Sequence, residues 1–308
     1  MIGIVRRVRK HIYHNYRKLV TRFVRRSGLA LHATNLILDD LVGPISFDGL
    51  AALDGVERQV FEMDGETYEK WAKENFPEWP RSCGYIRHKK LIENYATFKL
   101  LDPGPNDVFM DAAGSGTTYL HHLPCRELYM QDIKITSKVR NQLGDRVTYI
   151  ECDGGAIPLP DESIDKISCH HSFEHFQDDS DVSFIKEAQR LLRLNGRLCI
   201  VHIFLADHYI EITDAMTFSK KFDAKSKRII DPTSGLPGGR YCDHYARVYD
   251  LQAFRERIVD NVDLRKFKLT IAELRMDGEV VPDAGLACHR ELPRLESPYR
   301  VLIIDRFE

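Results

Sequence analysis

Along residues 4–24 the apolar positions Ile4, Val5, Val8, Ile12, Tyr16, Leu19, Val20, Phe23 and Val24 recur at helical spacing. Basic residues fill the opposite face, so the segment is predicted to be an amphipathic helix, stopped by Ser27-Gly28. Residues 29–60 are apolar with few strong signals. A polar helix is predicted over 66–75, broken by Pro77 and Pro80. From about residue 87 the pattern changes. A helix over 87–101 ends at the turn Asp102-Pro103-Gly104-Pro105, and short apolar strands are predicted at 107–111, 127–131, 147–151, 164–169 and 197–203. Helical segments lie between them, most clearly at 181–193. This alternation implies an α/β fold with a mostly parallel sheet covered on both faces. Residues 205–245 interrupt the rhythm with polar and aromatic residues. A helix over 250–260 and strands at 267–274 and 299–305 follow.

Composition adds three constraints. Of 308 residues, 43% are hydrophobic and 29% charged, enough apolar material for a core without disulfide or metal staples. The seven cysteines form no C-x-x-C pair and are odd in number, which reads as reduced thiols in a cytoplasmic protein. Neither a signal peptide nor an apolar run of the ~20 residues that span a bilayer is visible. Charge is uneven. Nine basic residues lie in 1–26, and the first acidic residue is Asp39. Beyond that segment 35 basic residues face 46 acidic ones, a balance of −11. We therefore divide the chain into a basic extension, 1–45, and a larger domain, 46–308, with an insert at about 205–245. The extension has three readings: a helix lying on an anionic membrane surface, a helix packed on the domain or on a second subunit, or a nucleic-acid contact. The acidic remainder argues against the last.

The strand-to-turn segment Val108-Phe-Met-Asp111-Ala-Ala113-Gly114-Ser-Gly116-Thr-Thr118 has the glycines that allow close approach to a ligand. It could equally be an ordinary tight turn. Asp132, ending the second strand, is placed either to accept both hydroxyls of a ribose or to start a helix. Asp153, beyond the third strand and followed by Gly154-Gly155, suits an adenine amine or a turn.

Three later elements are more specific. Asp153-Gly-Gly-Ala-Ile-Pro-Leu-Pro-Asp-Glu-Ser-Ile-Asp165 leads into Lys-Ile-Ser-Cys-His-His-Ser-Phe-Glu-His175. After it comes Phe184-Ile-Lys-Glu-Ala-Gln-Arg-Leu-Leu-Arg-Leu-Asn-Gly-Arg197. In this order and spacing they resemble the type-11 class of S-adenosylmethionine-dependent methyltransferases. The resemblance covers residues 87–203 well and 244–305 weakly. It implies a Rossmann-like three-layer sandwich with a seven-stranded sheet whose last strand is antiparallel. It also implies S-adenosylmethionine as cofactor. Asp111, Ala113, Gly114 and Gly116 would then surround the methionine end, Asp132 the ribose, Asp153 and Gly154 the adenine edge, and His170-His171-Ser172 the floor near the sulfonium. One departure touches the cofactor loop: the family's glycine two residues after the first Asp is Ala113 here. A nicotinamide dinucleotide enzyme fits less well, because the third glycine of that fingerprint is missing.

A hydroxyl acceptor must lose a proton during methyl transfer, and a histidine near the methyl can take it. The candidates are His171, His175 and His202, with His175 preferred and Glu174 beside it as a catalytic partner. A structural role for the Glu-His pair stands as the alternative. No metal is assigned. A second reading sets His171, Glu174 and His175 beside the Glu-x-x-Glu-His magnesium site of the ubiquinone-biosynthesis O-methyltransferases. There the replacement by His171 disfavours magnesium and suits a softer ion. The insert supplies His208, Tyr209, Arg240, Tyr241, His244 and Tyr245, suited to roofing a polar acceptor such as a sugar, or to a surface elaboration without a ligand. The leading expectation is an O-methyltransferase acting on a glycan or other small polar acceptor. The alternatives are a methyltransferase-like scaffold without catalysis and an RNA methyltransferase.

Overall fold

The computed structural model describes residues 43, 45–76, 85–114, 119–214, 222–231, 245–283 and 297–308. The predicted basic helix at 4–24, together with Gly116, Arg240, Tyr241 and His244, lies outside these residues.

The strands are β1 (Val56–Met63), β2 (Val108–Ala112), β3 (Glu127–Asp132), β4 (Val147–Glu151), β5 (Ile164–His170), β6 (Leu192–Val201), β7 (Ile210–Asp214), β8 (Lys227–Asp231), β9 (Tyr245–Val248), β10 (Phe267–Met276), β11 (Glu279–Val280), β12 (Pro282–Asp283), β13 (Ser297–Pro298) and β14 (Arg300–Arg306). The helices are α1 (Gly65–Asn75), α2 (Tyr85–Leu101), α3 (Ser137–Leu143), α4 (Ser180–Leu191) and α5 (Leu251–Arg257). The main sheet runs β1-β10-β14-β6-β5-β2-β3-β4, with β11 attached to β10. From β6 to β4 every pairing is parallel, whereas β14 is antiparallel to both of its neighbours. This is the mostly parallel α/β layout the alternating pattern predicts, with the antiparallel last strand that the family resemblance implies.

The expected count of seven strands is corrected to nine. The extra full-length strand, β1, comes from the stretch 29–60 that offered few signals. It is an edge strand with mostly exposed side chains, so no apolar alternation announces it. Its place is set by parallel pairing with β10 from Val56↔Leu269 to Met63↔Met276. Strand β6 also begins earlier than expected, at Leu192, because its register with β5 shifts between Ile164 and Lys166 and absorbs the Leu194-Asn195-Gly196 turn.

Alternation along the strands divides the interior in two. Val108, Met110, Ala112, Leu198, Ile200, Leu302 and Ile304 face α4 and α5, where Phe184, Ile185, Ala188 and Phe254 are buried. Phe109, Cys199, Val201, Val301 and Ile303 face α1, α2 and α3, where Tyr68, Tyr95, Ala96 and Val139 are buried. The sheet is thus the middle of three layers.

The insert forms a small sheet of its own, β8-β7-β9, parallel between β7 and β8 and antiparallel between β7 and β9. A buried charge network ties it to the main domain. Asp181, at the start of α4, meets Arg247 Nη1 of β9 at 2.6 Å and Arg257 Nη2 of α5 at 2.6 Å, and accepts a hydrogen bond from Tyr249 at 2.8 Å. Glu211 of β7 accepts from Arg247 Nη2 and from the Tyr245 hydroxyl. The expectation that Tyr209 and Tyr245 line an acceptor pocket is therefore corrected. Both are buried within the insert's packing, Tyr209 with its hydroxyl on Asp223 and its ring stacked on Tyr249. His208 faces solvent.

Candidate active site

Four adjacent parallel strands, β4, β3, β2 and β5, end along one edge of the sheet, the place where open α/β sheets bind ligands. The residues singled out from sequence meet there: Asp111, Ala113 and Gly114 at the end of β2, Asp132 at the end of β3, Asp153 and Gly154 after β4, and His170 and His171 at and after β5.

Ala113 adopts φ +52°, the left-handed region. This is why a glycine is the natural occupant of the position, and Ala113 reaches the same backbone conformation at the cost of Cβ strain. At Gly114 the constraint is spatial. A Cβ there would lie 1.9 Å from Asp111 Oδ2. The Asp111 carboxylate is fully buried. Its Oδ1 accepts from Ser168 Oγ at 2.7 Å and, at 3.4 Å, from the Tyr119 hydroxyl. It supports the loop from beneath.

A residue that sequence reasoning passed over, Gln131, joins the loops. Its side chain is buried, its Oε1 accepts from Ala113 N at 3.1 Å, and its Nε2 donates to the Cys152 carbonyl at 2.7 Å. Gly114 N donates to the Gln131 carbonyl. A polar residue inside an otherwise apolar strand, one place before Asp132, was the available signal. Asp132 is half-buried and accepts from Lys134 N at 3.0 Å. Asp153 is exposed, and its Oδ1 accepts from Gly155 N at 2.8 Å in a local turn.

The two histidines ending β5 go separate ways. His170 is buried and stacked on Tyr119, with ring centroids 5.2 Å apart, and burial drives its imidazole down to about 3, so it is neutral at pH 7. His171 takes φ +45°. Its side chain joins a carboxylate–imidazole cluster, while Ser172 Oγ turns back to donate to the carbonyls of Ala113 and His170.

Glu174 occupies the middle of that cluster. Its Oε1 lies 3.5 Å from His171 Nδ1, 3.6 Å from His175 Nε2 and 3.7 Å from His202 Nε2. Burial opposes its ionisation, but the contact with His171 and the charges of His175 and His202 outweigh it and hold the carboxyl down to about 2. On the outer side, His171 Nε2 meets Oε1 of the buried Glu93 of α2, which also pairs with Lys90 at 3.1 Å. His175 Nδ1 lies 2.5 Å from the Tyr245 carbonyl, so β9 of the insert orients that imidazole. Glu93 was not foreseen. It sits between the apolar residues Ile92 and Tyr95–Ala96, where a charged side chain needs a partner. His202 joins because its predecessor Val201 pairs with His170 across β5 and β6.

Residues 112–200 match a family model described as "Methyltransferase domain". A curated relative, the "Uncharacterized methyltransferase YcgJ" of Bacillus subtilis, is 28% identical over 131 residues. The match takes in 39% of this chain, and the chain spans only 44% of that relative's length. The crystal structure of the Burkholderia thailandensis 1,6-didemethyltoxoflavin-N1-methyltransferase, with its substrate and S-adenosylhomocysteine bound, aligns over 87% of this chain and 95% of its own, at 13% identity and TM-score 0.41. The structure of YcgJ aligns over 38% and 53%, at 20% identity and TM-score 0.32. Residues 112–200 are thus similar to a methyltransferase domain, as the motif order also suggests.

Proposed function

We propose that the protein is an S-adenosylmethionine-dependent methyltransferase acting on the oxygen of a small polar acceptor. The observation that carries this reading is the coincidence of the matched segment with the loops that Gln131 ties together at the ends of β2, β3 and β4. The cofactor lies along those ends, its methionine part over Ala113 and Gly114, its ribose on Asp132 and its adenine beside Asp153 and Gly154. In-line methyl transfer asks the protein chiefly to align acceptor and methyl, since the sulfonium supplies the activation. His175 stands on the acceptor side. With Nδ1–H donated to the Tyr245 carbonyl, Nε2 is the atom left to take an acceptor proton.

Ala113 speaks for a working loop over a degenerate scaffold, because it reproduces the left-handed turn of the missing glycine. Among the finer acceptor classes, a glycan fits the polar insert, although the support now rests on Arg240, Tyr241 and His244 alone. The basic extension is proposed to hold the protein at an anionic membrane surface, where lipid-linked acceptors would be presented.

Calorimetry with S-adenosylhomocysteine tests the core of the reading. We expect one site, with Asp132→Ala weakening it about tenfold, the loss of about 1.4 kcal/mol expected when a charge-assisted hydrogen bond is removed. The absence of binding by the parent protein would return the scaffold alternative.

A further inference from the structure

We propose that His171, Glu174 and His202 form a binding site for a borderline divalent cation of the zinc and cobalt class, with Glu93 as the outer carboxylate. The ligand atoms of His171, Glu174 and His202 all lie within 4.8 Å of one another. His171 Nδ1 and His202 Nε2 stand 3.5 and 3.7 Å from one carboxylate oxygen, Glu174 Oε1. These separations exceed the common N–H···O range of about 2.7–3.2 Å. They come close to the ~3.4 Å edge of a tetrahedron built with metal–ligand bonds of about 2.0–2.1 Å.

The outer contacts fix which nitrogen faces inward. A carboxylate and a carbonyl accept only, so His171 Nε2 carries its proton toward Glu93 and His175 Nδ1 toward Tyr245. The inner nitrogen, His171 Nδ1, faces Glu174 Oε1. A histidine whose far nitrogen is held by a buried carboxylate is the usual support of a metal-binding imidazole. Glu174 supplies an independent sign. It is 6% exposed, and its Oε2 has no hydrogen-bond partner among the described residues. Two nitrogen donors and one oxygen, with a fourth position open to solvent, favour a borderline ion over magnesium. Such an ion supplies Lewis acidity to an oxygen on the acceptor side. The placement does not depend on the methyl-transfer reading, because its test reads ion binding alone.

The experiment uses the full chain, stripped with a chelator and titrated with Co2+ and then Zn2+. We expect one equivalent of Co2+ with the visible bands of four-coordinate nitrogen and oxygen ligation, no near-ultraviolet thiolate band, and displacement by Zn2+. His202→Ala and Glu174→Gln should each weaken binding more than a hundredfold. Glu93→Gln should weaken it 10- to 100-fold, as expected of an outer partner. The spectrum of the parent protein decides the matter even where a variant fails to fold. A thiolate band, binding unchanged by these substitutions, octahedral weak binding only, or no saturable uptake of either ion would each overturn the site.

Discussion

At the residue scale, Ala113 and Gly114 are neighbours with opposite demands. Ala113 pays for a left-handed φ of +52° that glycine adopts freely. Ala113→Gly relieves that strain while adding some unfolded-chain entropy, so we expect a net gain of about 0.5–1 kcal/mol and a rise in melting temperature of about 2 °C. A fall in thermal stability would mean that the turn is not strained. Gly114→Ala acts the other way, because its Cβ would meet Asp111 Oδ2 at 1.9 Å and Asp111 Cγ at 2.5 Å. Moving that carboxylate disturbs its bonds to Ser168 and Tyr119 in a place closed to water. A loss of about 2–3 kcal/mol follows, together with weaker S-adenosylhomocysteine binding; urea melts and calorimetry read the two effects. The loop and Asp132 were legible in the sequence because glycines and a strand-end acid stand out against apolar runs. Gln131 was not, since its role is to join two loops that only the sheet order brings together. His175 adds a prediction on turnover. His175→Gln keeps a polar side chain but removes the base, so kcat should fall 100-fold or more with S-adenosylhomocysteine affinity within about twofold of the parent. Equal loss of both would assign His175 a structural role.

At the scale of elements, a buried charge network joins the insert to the domain alongside apolar packing. Asp181 sits among Arg247, Arg257 and Tyr249, and although burial pushes its carboxyl upward, the hydrogen bond from Arg257 and the charges of Arg247 and Arg257 bring it below its ordinary value of 3.8. A carboxyl depressed in the folded state stabilises the fold above its unfolded pKa, and that contribution disappears as pH falls through the folded value. Asp181→Asn leaves two buried guanidinium groups without their common partner. The expected cost near pH 7 is about 3–5 kcal/mol, and the gap between variant and parent should narrow as the pH drops below 3.8. Urea unfolding at neutral pH and well below pH 3.8 measures both numbers; an equal gap at the two would remove the network from the account. No periodicity announces such a network. Arg247 and Asp181 are 66 positions apart, and each alone looks like a surface charge. The same limit explains Tyr209 and Tyr245, whose polar–aromatic composition suggested a ligand surface but whose hydroxyls satisfy Asp223 and Glu211 inside the insert. The central strands were legible because they are apolar on both faces. β1 was not, because an edge strand facing solvent has no apolar rhythm to betray it.

At the scale of the whole molecule, charge sets the last expectation. Nine basic residues precede the first acid, and the rest of the chain carries a balance of −11. Among the described residues no helix is long and apolar enough to cross a membrane. Each Lys or Arg near an anionic leaflet contributes about 1 kcal/mol, and the apolar positions between residues 4 and 24 add burial at the acyl boundary. The acidic remainder is repelled by the same leaflet, which would orient the domain outward. The full chain should therefore float with vesicles containing anionic phospholipid, float poorly with neutral ones, and be released by raised salt as the Debye length contracts from about 10 Å at 0.1 M toward 3 Å at 1 M. Deleting residues 1–28 should abolish flotation while leaving S-adenosylhomocysteine binding intact, since the proposed cofactor edge of the sheet begins at β2. Flotation that persists after the deletion would put the membrane contact on the domain itself. Its absence in the intact chain would leave the helix to pack on the domain or on a second copy, which the molecular mass in solution with and without residues 1–28 distinguishes.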